Sequence, residues 1–135
     1  MAKTIELKII TPQKVVYTGT VESFKAPGVL GAFQVLFNHA PIVSKLQPGM
    51  LSFKEISGGE QRFYVSGGFL ELHDNIGSVL ADTIEDSKEI NIADGEVQIA
   101  RLRQRYSDHE EGYTSDIFHA ELDAATARLN VAKHK

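Results

Sequence analysis

Apolar and polar residues alternate along Ile5-Glu6-Leu7-Lys8-Ile9, the pattern of a strand with one face buried and one face wet. Thr11-Pro12 ends that run, and Lys14 to Tyr17 starts the next. Thr18-Gly19 reads as a turn, Thr20 to Ala26 as a strand, and Pro27-Gly28 as its stop. Phe33 to Phe37 is a short apolar stretch ahead of Asn38-His39-Ala40-Pro41, and Ile42 to Leu46 follows as a possible partner. Pro48-Gly49 reads as a turn and Met50 to Ile56 as a strand. Ser57-Gly58-Gly59-Glu60 reads as a hairpin loop with Gln61 to Val65 as its return arm. Gly67-Gly68 interrupts the pattern before Phe69 to Leu72, and Asp74-Asn75 turns into a last strand, Ile76 to Ala81. Many short strands with closely spaced turns predict a β-sandwich or flattened barrel.

The period changes after Ile90. Ile92, Ile99, Leu102 and Tyr106 lie on one helical face. Asn91 is placed to cap this helix, with Asp94 and Glu96 in the first turn, while Gly95 weakens its start. Ser107 to Tyr113 is a polar break. Thr114 or Ser115 caps a second helix, on which Phe118, Leu122, Ala125, Leu129 and Ala132 form one stripe. Ile117, Ala120, Ala124, Ala127 and Val131 form a second stripe beside it. The predicted class is therefore β followed by α. A sandwich over residues 1–86 precedes an antiparallel two-helix hairpin over 87–135, with Ser87-Lys88-Glu89 as the hinge. Such a hairpin has little core of its own and needs a surface to lie on. Its docked and undocked states would then differ by a few kcal/mol, which a partner can bias.

Composition narrows the function. There is no cysteine, hence no disulfide framework, thiolate nucleophile or cysteine-based zinc site. A net charge of -4 argues against a general nucleic-acid binder. No apolar run approaches the ~20 residues of a membrane span. Met1 to Leu7 lacks the apolar core of a leader peptide. The expectation is a soluble protein that meets a membrane only through a partner. The five histidines have no i, i+4 pairing, and no serine or cysteine nucleophile accompanies the most notable of them, His39. Gly67-Gly68 is followed by no helix and no Gly-Lys-Ser/Thr signature, so it reads as a site of close packing. Arg101 and Arg105 share a helix face, while Arg103 points elsewhere. They read as a wet surface or a contact for an acidic protein partner. No cofactor and no metal is implied.

Several motifs stand in a specific order: Asn38-His39-Ala40-Pro41, Leu46, Pro48-Gly49, Val65-Ser66-Gly67-Gly68-Phe69-Leu70-Glu71-Leu72, Val79-Leu80-Ala81-Asp82, Ala120-Glu121-Leu122 and Arg128-Leu129-Asn130-Val131-Ala132. In this combination the chain closely resembles the epsilon subunit of the bacterial and chloroplast proton-translocating ATP synthase, called delta in mitochondria. The resemblance implies a non-catalytic rotor subunit at the cytoplasmic face of the bacterial plasma membrane, peripheral to it. Its sandwich would bind the gamma subunit and rest on the c-ring. Its hairpin would lie compact or extend towards the catalytic beta subunits and restrain ATP hydrolysis. Carried over by motif, Gly31, Ala32 and His39 fall in the loop region placed near the c-ring. Ala32 stands where the family usually has an acidic residue, and Phe37 where it has proline. Some members bind ATP through Ile-Asp-x-x-Arg-Ala, and here the stretch reads Ile90-Asn91-Ile92-Ala93-Asp94-Gly95. Asparagine replaces the aspartate, and Asp94 would repel a phosphate, so weak or absent ATP binding is expected. Arg128 is the one Lys or Arg between Thr114 and Ala132, so inhibition is expected to be mild. A free-standing nucleotide-sensing module is the alternative, and a small sandwich enzyme a distant third.

Overall fold

The computed structural model describes residues 3–134. Met1 and Ala2, where the reading for a leader began, and Lys135 lie outside them. Seven strands run in the order β1 (Ile5–Ile10), β2 (Val15–Gly28), β3 (Gly31–Val35), β4 (Ile42–Glu55), β5 (Glu60–His73), β6 (Ile76–Leu80) and β7 (Ile84–Asp86). Two helices follow, α1 (Ile92–Ser107) and α2 (Ser115–Lys133). The sheet closes on itself through β1-β6-β5-β4-β2 and back to β1, so that circuit has no open edge. β1 lies antiparallel to β2 and parallel to β6.

The closure depends on three strands of 14 residues each, β2, β4 and β5. Each is shared between the two faces of the sandwich. The first half of β2 pairs with β1 and its second half with β3. The second half of β5 pairs with β6, while Phe63 to Val65 pair with β7. Pro27-Gly28 ends β2 as expected, still paired with Ala32 and Gly31. Three other expected breaks are corrected. Thr18-Gly19 lies within β2, with Gly19 opposite Leu7. Pro48-Gly49 lies inside β4 opposite Ser66 and Val65, and Gly68 lies inside β5 opposite Leu46. Gly67 and Gly68 have φ of 105° and 135°, conformations in which only glycine is unstrained, and they occur within a long strand shared by both faces. The Asp74-Asn75 turn is as expected. Both residues are left-handed, at φ 50° and 61°, as a two-residue hairpin of type I′ demands.

The alternation in β1 buries Ile5, Leu7 and Ile9 at 1% exposure or less. They join Val21, Phe24, Leu51, Phe53, Val65, Leu70, Leu72 and Val79 in one core. Phe53 lies between Tyr17 and Phe63, tilted against the first and stacked on the second, at centroid distances of 4.5 and 5.9 Å.

Beyond β7, Ser87 to Glu89 forms a short 3-10 turn capped by the Asp86 carboxylate, with Ser87 buried. In α1 the Asn91 side chain accepts from the Asp94 N–H at 3.0 Å, and in α2 Thr114 Oγ1 accepts from the Ile117 N–H. The two helices pack through Ile99, Leu102, Tyr113, Phe118, Leu122 and Ala125. Gly95, expected only to weaken α1, is buried where a side chain would press on Leu129 Cδ1 at 3.1 Å. Its cost in helix propensity is the condition for close approach. Asn91→Ala is expected to lower stability by about 1 kcal/mol, and Asn91→Asp to leave it unchanged, because aspartate caps equally well. Urea unfolding of the two variants measures this.

Candidate functional site

Two regions carry the residues singled out by sequence. The first is the turn between β2 and β3 with the loop that follows β3. Gly28 pairs with Gly31, and a Cβ at Gly28 would meet the Phe33 ring and the Gly31 carbonyl at 2.9 and 2.8 Å. The backbone therefore turns tightly at Val29-Leu30. The Val29 N–H donates to the Lys45 carbonyl at 3.0 Å, tying the turn to β4. Leu30 at its tip is fully exposed, and Val43 alongside is 76% exposed. Gly31 and Ala32 are both exposed here.

His39 belongs to the next loop. Its N–H donates to the Leu36 carbonyl, and its Nδ1 lies 2.7 Å from the Ala40 carbonyl, which fixes the proton on Nδ1. Asn38, left-handed at φ 63°, accepts from Asn75 Nδ2, and its N–H donates to Asn75 Oδ1. This loop is thus pinned to the β5–β6 turn. Among the described residues no hydrogen bond joins His39 to Gly31 or Ala32.

The second region is the seat of the hairpin. Tyr64, Ile90, Val131 and Ala132 are buried together, with Met50, Ile92 and Ala127 packed against them. The second stripe of α2 therefore divides. Ala127 and Val131 meet the sandwich, while Ile117 and Ala120 stay exposed. Arg128 Nε and Nη2 donate to the two carboxylate oxygens of Glu85 at 2.8 and 2.9 Å. That bidentate bond holds the guanidinium charged even more firmly than usual, the carboxylate's hydrogen bonds being the main cause. Burial, and then the Glu85 charge, push the Tyr64 phenol above its ordinary range, with Arg128 pulling the other way. The associated stability is complete below the ordinary phenol pKa and is lost as pH rises through the raised one; with its pKa raised, Tyr64 is neutral at physiological pH.

The other candidates are scattered. Arg105 is committed within the hairpin, bonded to Glu110 at 2.8 Å and lying 3.9 Å over the Tyr113 ring. Arg101 is exposed and forms no ion pair among the described residues. Ile90 is buried beneath the hairpin, Asn91 is spent on its cap, and Asp94 lends its N–H to that cap. Glu85 and Tyr64 were not foreseen. No group of three or more metal-ligating side chains converges among the described residues. No described helix is long and apolar enough to cross a membrane.

Residues 4–87 match the beta-sandwich domain of the ATP synthase delta/epsilon chain. The chain belongs to the ATP synthase epsilon chain family. It is 38% identical to the ATP synthase epsilon chain of Anaeromyxobacter dehalogenans strain 2CP-C, over 95% of this chain and 97% of that one. It is 36% identical to that of Moorella thermoacetica, over 96% of each. These alignments run through the hairpin as well as the sandwich. In fold, the epsilon-family chain is similar to a chain of the Euglena gracilis mitochondrial ATP synthase OSCP/F1/c-ring assembly. That likeness has a TM-score of 0.81 at 17% identity and covers 98% of this chain and 82% of that one. A chain of the Tetrahymena thermophila central stalk and c-ring assembly gives a TM-score of 0.60 at 18% identity, covering 96% and 94%.

Proposed function

We propose that this chain is a rotor subunit of ATP synthase, coupling proton-driven c-ring rotation to the catalytic head through gamma. Residues 1–86 form the platform that grips gamma and the c-ring, with the start of β3 at Gly31 and Ala32 and the loop bearing His39 towards the ring. Residues 87–135 form a regulatory hairpin that modulates ATP hydrolysis by moving between a docked position and one reaching the catalytic beta subunits. Arg101 and Arg105 on α1 and Arg128 on α2 are its cationic contacts in the released position. The chain sits at the cytoplasmic face of the bacterial plasma membrane through its partners and performs no chemistry itself.

The observation that carries this reading is family membership across nearly the whole chain, hairpin included. The architecture supports it. The sandwich has its own core, the hairpin has another, and the seat between them is small. A rigid platform with a lightly held arm suits transmission and regulation. The degenerate Ile90-Asn91-Asp94 stretch serves as a helix start, with the Asn91 side chain accepting from the Asp94 N–H.

The test is affinity capture of the tagged full chain from detergent-solubilised membranes of its native host. Gamma and c subunits are expected to come with it, and a chain shortened to residues 1–86 is expected to retain both. Recovery of neither by the full chain overturns the assignment. Loss of both on shortening overturns the division between platform and arm.

A further inference from the structure

Among the described residues, apart from the Asp86 carboxylate that caps the 3-10 turn at the junction itself, every side-chain hydrogen bond and ion pair between hairpin and sandwich is made by one couple, Glu85 and Arg128. No backbone hydrogen bond joins the two parts outside the regular elements. Lys133 pairs with Glu96 and Arg105 with Glu110, both within the hairpin. What remains at the seat is apolar, Ile90, Ile92, Ala127, Val131 and Ala132 against Met50 and Tyr64.

The couple is well placed to dominate this seat. Glu85 lies on β7 directly opposite Tyr64 of β5, so its backbone belongs to the sandwich. Arg128 lies between Ala127 and Leu129, which face the seat and the partner helix respectively. The two side chains are 25% and 30% exposed. That is dry enough to strengthen a bidentate bond, and open enough for dissolved ions to reach it.

We propose that Glu85 and Arg128 form the latch of the hairpin, a charge pair that sets the balance between docked and released positions and makes that balance sensitive to ionic strength. The proposal rests on reading the hairpin as a movable regulatory arm. It adds to that reading the part that moves first. Release frees the Arg128 guanidinium for a carboxylate elsewhere, so docking and any acidic partner compete for one cation. Released and docked arms are then mutually exclusive in their use of this side chain, which makes the latch a switch as well as a fastener.

The chain lacks cysteine, so a pair introduced as Met50→Cys and Ala127→Cys across the seat is the only one able to form a disulfide. In the purified full chain, the rate of oxidation of this pair reports the docked fraction. At low salt, Glu85→Gln and Arg128→Gln are each expected to slow trapping about tenfold. The Glu85→Gln/Arg128→Gln double variant should be no slower than either single variant. Raising salt to about 1 M should slow the chain with its latch intact and leave Arg128→Gln unaffected. Trapping by Arg128→Gln at the unmodified rate, a double variant slower than both singles, or a salt response shared equally by Arg128→Gln would each overturn the latch. Membrane capture plays no part in this measurement, so failure of the latch and failure of the rotor assignment are separately visible.

Discussion

Gly68→Ala should be among the most damaging single substitutions in the sandwich, lowering its stability by about 3 kcal/mol or more. Two independent faults combine. A Cβ there would sit on the Leu80 carbonyl oxygen and 3.0 Å from Ala81 Cα. Those are backbone atoms of β6 and the residue after it, which cannot swing aside as a flexible side chain would. The residue also holds φ at 135°, where an L side chain is strained wherever space exists. Gly58 separates the two faults. It too has positive φ, at 96°, but open space surrounds its Cβ position. Gly58→Ala should therefore cost only about 1 kcal/mol. Urea titration of both variants measures the difference, and equal losses would show that the close approach to β6 contributes nothing.

Phe53→Ala should cost about 3–5 kcal/mol. The ring is 1% exposed and lies between Tyr17 and Phe63, so truncation removes a large transfer term and leaves a cavity bounded by two rings. Those neighbours come from β2 and β5, strands that the closed sheet holds at fixed spacing, so collapse into the void is limited. Met50→Ala offers the contrast. Met50 is on the same strand but half-buried and turned towards the hairpin, so its loss should fall on docking and cost the sandwich less than half as much. Denaturation followed by near-ultraviolet dichroism of the tyrosines checks the pair. A Phe53→Ala loss below about 1 kcal/mol would mean the core relaxes around the gap.

How much of this the residues announce depends on the range of the interaction that fixes each element. β1 is legible because its alternation is local and one face is buried. The helices are legible because their periodicity and caps lie within a few residues of each other. Pro48-Gly49 and Gly67-Gly68 mislead because turn chemistry and strand corners use the same residues. What keeps them extended is the pairing of Pro48 with Ser66 and of Gly68 with Leu46, a contact between segments far apart in sequence. β7 has three residues and no period to detect. Glu85 carries no local signal, since its importance lies in a guanidinium 43 positions away. Gly31, Ala32 and His39 came from likeness to a family rather than from any chemistry of their own. The structure places Gly31 and Ala32 at the start of β3, beside a turn anchored to Lys45, and His39 in a separate loop anchored to Asn75.

The hairpin is seated through the start of α1 and the last third of α2, near Ile90, Ile92 and Ala127 to Ala132, whereas the inter-helix cluster with Tyr113 and Phe118 lies towards the opposite end. A helix of 19 residues is about 28 Å long at ~1.5 Å per residue. A tilt of roughly 10° at the seat would therefore carry the far tip about 5 Å on that length. The arm is geared. A loosening too slight to unpack Val131 would already register as a wide excursion at Phe118, so a label near the tip reports events at the seat well before any core is broken.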